Sequence, residues 1–253
     1  MLEASVIQWQ WKEDVFPECD QFNGIHEGLV QSWKDIFPKK GEIYFAGALE
    51  NNEDTGTLQY LASTAMEAGF STRVLDMQAL DLQNGRFFDP AGELVNRCFK
   101  LYPWEWMVDE SPDGCLAEME WLEPIWKLVM SNKAILATLY ELFPDSPYVL
   151  PCYLSRPRSG LFCKKPVFSR EGHNVSVVDI RNWEEHVRIA ETEGDYNTGA
   201  YVYQEYVEPT VYSGRYPVIG SWIIGGEAVG IGIRENRMEV TDNLSEFVPH
   251  IIG

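Results

Sequence analysis

The chain has 253 residues, 45% of them hydrophobic and 13% aromatic, and a formal net charge of -19. That length fits one large domain or one domain with a small companion, with ample apolar material for a core. The acidity argues against nonspecific binding to nucleic acid or an anionic membrane, yet leaves room for a small anionic ligand in a local basic pocket.

Met1 to Trp11 already reads as a helix rich in large aromatics, with no Ser, Thr, Asp or Asn cap ahead of it. Asp20 to Phe37 reads as a second helix, with Phe22, Ile25, Leu29 and Trp33 on one face and Pro38 and Gly41 closing it. A strand is expected at Ile43–Ala48 and a helix at Thr55–Ala68, with Leu58, Leu61, Ala62 and Ala65 inward and Gly69 as its stop. Strands follow at Ser71–Asp76 and Cys98–Tyr102, around a short connector and a small hairpin at Gly85–Val95. Strand, helix, strand of this size implies an α/β unit with a right-handed crossover, if the two strands are parallel.

Trp121 to Phe143 reads as helical, broken near Met130–Lys133. Beyond it strands dominate: Tyr148–Leu154, Leu161–Lys165, Val175–Asp179, Ala200–Tyr206, Tyr216–Ile224 and Glu227–Arg234. Gly225-Gly226 between two alternating runs is a hairpin signal. Ser111–Gly114 and Arg156–Gly160 are the candidate linkers.

The richest stretch is Phe162 to Val178, read as strand, tight loop, strand. Its loop Ser169-Arg170-Glu171-Gly172-His173-Asn174 follows Lys164-Lys165-Pro166, and cations with backbone N–H groups on a short turn suit phosphate oxygens. A plain hairpin with a solvated charged tip has the same pattern. Lys133 at a helix start and Lys165 at a strand end are candidate phosphate contacts, although lysine is ordinarily a surface residue. Gln204-Glu205-Tyr206-Val207 ends a strand and offers an amide and backbone groups to a purine edge; a polar-ended edge strand looks alike. Arg234 closes a run with two glycines, a setting for close ligand approach or for a salt bridge with Glu235 or Glu239. Glu53, Asp54 and Glu105 are acids beside loops or aromatics, able to hold an amine. The four histidines are scattered, and no Ser/His/Asp arrangement emerges from spacing. The five cysteines are dispersed and never spaced as CxxC, which reads as free thiols in a reducing compartment rather than a zinc site. No apolar run approaches spanning length and no signal pattern opens the chain, so a cytoplasmic protein is expected.

Together these segments resemble the glutathionylspermidine synthase-like family of ATP-grasp ligases, in its stand-alone bacterial form without the amidase domain. The resemblance is carried in order by Val6–Trp11, Asp20–Asn23, Lys100–Trp106, Leu122–Lys127, Ser131–Lys133, Lys165–Asn174, Ile219–Trp222, Gly230–Glu235 and Pro249–Ile252. It implies an α+β chain: an ATP-grasp fold, incomplete at the N-terminus, with a small α/β preATP-grasp-like unit. The divisions implied are a helical segment at 1–40, a substrate-side unit at 41–110 and a nucleotide-binding region at 111–253. The family joins a carboxylate to an amine through an acyl-phosphate, using ATP and Mg2+. By matching position, Lys133, Lys165, Ser169, Glu171, Gly172, Asn174, Gln204, Glu205 and Val207 would meet the nucleotide. Arg170 and Arg234 would be catalytic, near the acyl-phosphate and the transferred group. Glu53, Asp54 and Glu105 would meet the peptide-like or carboxylate substrate and the amine. Positioning and electrostatics carry such chemistry, so cations without a nucleophilic side chain are what it needs.

One departure stands out. The family places its magnesium ligands and a catalytic arginine in Arg-x-Asp and Glu-x-Asn motifs upstream of a stretch like Met1–Ala4. The resemblance therefore implies a truncated chain with a possible complementing N-terminal segment, and Glu239, Asp242 and Asn243 are the substitutes whose spacing invites a metal. Three readings stay open: a ligase or remnant of one, a non-catalytic nucleotide-binding module or half of a split enzyme, and an interaction domain using an exposed aromatic helix around Trp9 and Trp11. No nucleic-acid or membrane partner is expected.

Overall fold

A computed structural model describes residues 1–194, 196, 199–240, 242 and 244–253, with 187–190 described by backbone alone. Among the described residues the chain divides into two compact units: Met1–Lys127 with Gly220–Gly232 and Pro249–Gly253, and Leu128–Ile219 with Ile233–Val248.

The first unit opens with a π-helical turn, Glu3–Ile7, running into α1 (Gln8–Val15), and α2 (Ile25–Ile36) follows. The uncapped start expected from sequence is present: no side chain caps the first turn. The second helix is shorter than its periodicity suggests. Asp20 and Asn23 are drawn into β-bridges with Ile252 and Gly230, so Phe22 lies outside the helix.

The parallel core is built from β1 (Glu42–Gly47), α3 (Asn52–Glu67) and β2 (Ser71–Asp76). Next come β3 (Asp81–Gln83), β4 (Arg86–Phe88) and β5 (Leu94–Val95), a small antiparallel sheet that contains the expected hairpin. Then β6 (Arg97–Leu101), α4 (Trp104–Glu110), α5 (Pro112–Cys115) and β7 (Glu120–Leu122) complete the order β2-β1-β6-β7, every neighbouring pair parallel. Helix α3 begins three residues earlier than predicted, because the Asn51 side chain accepts from the Glu53 N–H at 2.8 Å and caps it. Trp121 and Leu122 are strand rather than helix: they pair with Cys98 and Phe99 of β6, a tertiary partner that local pattern does not show.

Strand β1 is the buried centre, with Ile43, Tyr44, Phe45 and Ala46 almost wholly inaccessible. Leu58, Leu61, Ala62 and Ala65 of α3 face inward as expected. Trp33 of α2 meets Phe45 edge-on at 5.6 Å, and its Nε1–H donates to Thr64 Oγ1 at 2.9 Å, so the buried indole keeps a polar partner. The ends are tied by side-chain amides, Gln8 buried and Gln21 half-buried. Gln8 donates to Ile231 O at 3.0 Å and accepts from His250 Nδ1, while Gln21 donates to Gln8 O and His250 O. The Phe22 N–H donates to His250 Nε2, which fixes the tautomer with the proton on Nδ1. Burial pushes this imidazole below its ordinary value.

The second unit holds α6 (Leu128–Ser131), α7 (Ala134–Leu142), β8 (Cys152–Tyr153), β9 (Gly160–Pro166), β10 (Ser176–Arg181), β11 (Glu184–Glu191) and β12 (Tyr201–Glu205). Its sheet has the order β11-β10-β9-β12-β8, with every neighbouring pair antiparallel. The strand expected at 148–154 shrinks to two residues, since Pro147 and Pro151 lack the N–H a ladder needs. Strand β11 had no counterpart in the sequence reading; its charged residues hide the alternation. One face buries Phe162, Val178, Ile180 and Tyr203; the other buries Cys152 and Val202 beneath Ala137, Leu136 and Tyr140 of α7.

The last strands, β13 (Tyr216–Ile224), β14 (Glu227–Asn236) and β15 (Glu246–Val248), form a three-stranded sheet. Gly225 and Gly226 join the first two with φ of +61° and +90°, the left-handed pair that a tight hairpin demands. The whole is a mixed α and β protein with several sheets, as expected. No helix among the described residues is long and apolar enough to cross a membrane.

Candidate functional site

Two groups of sequence-selected residues are brought together, one in each unit. In the first, β1 and β6 run parallel to Gly47 and Leu101, and the chain beyond each enters a helix. Glu53 and Asp54 fall in the first turn of α3 and Glu105 in the first turn of α4. All three carboxylates thus lie at the carboxyl edge of a parallel sheet, where open α/β sheets hold ligands. Acids in a first turn also suit the helix dipole. Asp76 Oδ2 accepts from the Leu49 N–H at 3.1 Å and secures the connection into α3. A Cβ at Gly47 would lie 3.0 Å from both Leu101 O and Leu58 Cδ1, so glycine permits this close strand–helix approach.

In the second unit Lys133 directly precedes α7, and its N–H donates to Val167 O at 2.8 Å, just past the end of β9. Its Nζ donates to Ser169 O at 2.5 Å and Ser169 Oγ at 2.9 Å. Lys165 stands opposite Val202 on β12, and its Nζ donates to Gln204 Oε1 at 2.7 Å. Val202 is buried against α7, so Lys165 and Gln204 share the sheet face covered by the helix that Lys133 precedes. Both lysines are therefore near one end of β9 and on one side of the sheet. Glu205 alternates to the other face, and its N–H donates to Pro151 O at 2.8 Å; Val207 is exposed beyond the strand.

The loop between β9 and β10 is pinned in an uncommon shape. Glu171, Gly172 and Asn174 have φ of +54°, +72° and +54°. Two non-glycine residues in the left-handed region carry a conformational cost that surrounding contacts must offset. Those contacts come from the segment after β11: Tyr196 N–H donates to Asn174 Oδ1 at 2.7 Å, and Thr192 Oγ1 donates to Gly172 O. Arg170 is exposed on this loop, and its carbonyl accepts from the His173 N–H at 2.9 Å. Arg234, on β14, donates from Nη1 to Ser245 O at 3.1 Å.

Sequence reasoning passed over several neighbours. Cys163 pairs with Gln204 across the ladder, on the Lys165 face; period-2 alternation from Lys165 would have found it. Burial pushes its thiol up, so it is no ready thiolate. Tyr206 donates to Glu239 Oε2 at 2.8 Å, and burial together with that carboxylate pushes the phenol up. No sequence signal links these two. Two of the three metal substitutes suggested by spacing are described, and both bond within the protein. Glu239 is engaged by Tyr206, and Asp242 Oδ1 accepts from the Leu244 N–H at 2.9 Å as part of its own turn. Asn243 lies outside the described residues. Among the described residues no three His, Cys, Asp or Glu side chains gather as metal ligands do.

This geometry defines an α+β protein with carboxylates at the edge of a parallel sheet in one unit and two lysines beside a pinned glycine loop in the other. The family comparison is specific: residues 1–253 match the family described as Glutathionylspermidine synthase preATP-grasp, and the chain belongs to it. It is similar to a putative acid--amine ligase of Haemophilus influenzae, 36% identical over 264 residues, covering 99% of this chain and 67% of that protein. A trypanothione synthetase of Crithidia fasciculata is 27% identical, covering 98% of this chain and 42% of its own length. A bifunctional glutathionylspermidine synthetase/amidase of Escherichia coli is 25% identical, covering 99% and 45%. The chain thus spans less than half of the latter two.

Proposed function

We propose that the chain performs ATP-dependent ligation of a carboxylate to an amine, with its second unit as the ATP-grasp nucleotide-binding part and its first on the substrate side. The observation that carries this reading is the pairing of Lys133 with Ser169 and of Lys165 with Gln204 on one face of one sheet. In it, the two ammonium groups meet the phosphates, the Ser169–Asn174 loop covers them, and Gln204 with the backbone of Glu205 and Val207 meets adenine. A carboxylate oxygen attacks the γ-phosphorus and ADP leaves. The neutral amine then attacks the acyl carbon, the C–O bond to phosphate breaks, and the nitrogen's proton passes to the departing phosphate, leaving the amide. Arg170 and Arg234 stabilise the charge on the transferred group. Glu53, Asp54 and Glu105 hold the ammonium group of a substrate. Glu239 and Asp242, as bonded here, do not fit a magnesium site, and no step is assigned to the metal.

The reading is supported by the relatives' names and by cations that can be preorganised on backbone and amide acceptors. Its test is the full chain with millimolar Mg-ATP. A raised melting temperature and ADP release that requires both a carboxylate and an amine are expected. An unchanged melting temperature would overturn it. Stabilisation without ADP release would leave the non-catalytic nucleotide-binding module.

A further inference from the structure

Lys100 stands apart from the other cations of the first unit. It is on β6, at the carboxyl edge of the parallel sheet, and only 5% of its surface is exposed. Lysine is seldom buried this far. Its Nζ folds back over its own turn, donating to Tyr102 O at 2.7 Å and lying 3.9 Å from the centre of the Trp104 ring. Trp104 is itself wedged: it meets Trp121 edge-on at 5.8 Å, and its Nε1–H donates to Glu123 O at 3.2 Å. The next residue is Glu105. The Glu105 carboxylate on α4 and that of Glu123 beyond β7 act on the ammonium, as do the thiols of Cys98 on β6 and Cys115 on α5.

A methionine would fill the same volume without desolvating a charge. It would leave the Tyr102 carbonyl without this donor and the indole face without its cation. We propose that Lys100 is a positioning residue. By tying the Tyr102 carbonyl to the Trp104 ring it fixes how the chain enters α4, and so where the Glu105 carboxylate stands. This rests on the ligase reading, in which Glu105 meets the amine.

The test uses the full chain as wild type, Lys100→Met and Lys100→Arg, with two measurements. The indole N–H resonance of Trp104 is followed against pH. It should titrate in the wild type with a midpoint near the value of about 8 to which burial lowers Lys100, and lose that titration in Lys100→Met. Binding of 1,4-diaminobutane in the presence of Mg-ATP is followed by calorimetry. Lys100→Met should weaken it about tenfold with ATP affinity unchanged, and Lys100→Arg should restore most of it. A wild type that binds the diamine equally well as Lys100→Met, or a Trp104 resonance indifferent to the substitution, overturns the positioning role. A wild type that binds no diamine removes the amine role of Glu105, and with it the proposal that rests on it.

Discussion

Arg73 in the first unit is met by three carboxylates, Glu42 at 2.8 Å, Asp89 at 2.8 Å and Glu93 at 2.6 Å. Lys165 in the second unit has, among the described residues, the neutral Gln204 Oε1 at 2.7 Å. The contrast separates a cation met by carboxylates within the fold from one held by a neutral amide. In a chain of net charge -19 the second arrangement is the more informative, because carboxylates are abundant and this lysine is held by something else. The first unit secures itself with side-chain amides and aromatics, the second with an antiparallel ladder that ends beside the Ser169–Asn174 loop.

The sharpest break of this comparison is Gln8→Leu. Gln8 is fully buried and serves the Ile231 carbonyl and His250 together. Removing it takes the amide partner from the Ile231 carbonyl and from the His250 Nδ1–H, and urea titration should show a loss of about 2–4 kcal/mol. A negligible loss would mean that the amide network does not secure the first unit. Next is the buried cation. Lys100 drops from 10.5 to about 8 on folding, chiefly by burial, so between those values the unfolded state binds the extra proton. Stability should therefore rise with pH across that window, by up to about 3 kcal/mol, relative to Lys100→Met. Parallel pH profiles for the two proteins would remove the claim.

Lys165→Met addresses the second unit: calorimetry should show ATP bound about tenfold more weakly while the denaturation midpoint barely moves. A large stability loss with unchanged binding would invert the contrast, making Lys165 structural. Trp33→Phe keeps the edge-on contact with Phe45 but loses the bond to Thr64, for which about 1 kcal/mol is expected in the same titration. The smallest effect is on His250. Its value is lowered by burial, so its contribution is present above the ordinary histidine range and fades as pH falls through it. His250→Gln should flatten that acid limb, and a limb identical to wild type would show that other groups set it.

Much of the first unit was legible because its elements carry their own periodicity. β1, α3, β2 and β6 stand close to where apolar spacing and Gly69 put them, and Gly225-Gly226 forms its turn. The losses have a common origin. Asp20–Asn23 leave the helix, and Trp121–Leu122 leave theirs, to bond with strands far away in sequence. The loop at Ser169–Asn174 was visible as a composition, yet its left-handed backbone depends on Thr192 and Tyr196, some twenty residues on. Gln8, Gln21 and His250 were visible only as parts of motifs; their role as mutual hydrogen-bond partners required the fold.

The amino-acid order by itself determined which segments alternate and which turn, where the glycines must be, and which residues carry charge into the Lys165–Asn174 stretch. Those are properties of a residue and its near neighbours. Only the tertiary structure decided that Lys165 ends on Gln204, that Glu239 accepts from Tyr206, and that Lys100 is buried over Trp104. Each of these depends on a partner that long-range packing supplies, and local spacing does not encode its distance or desolvation.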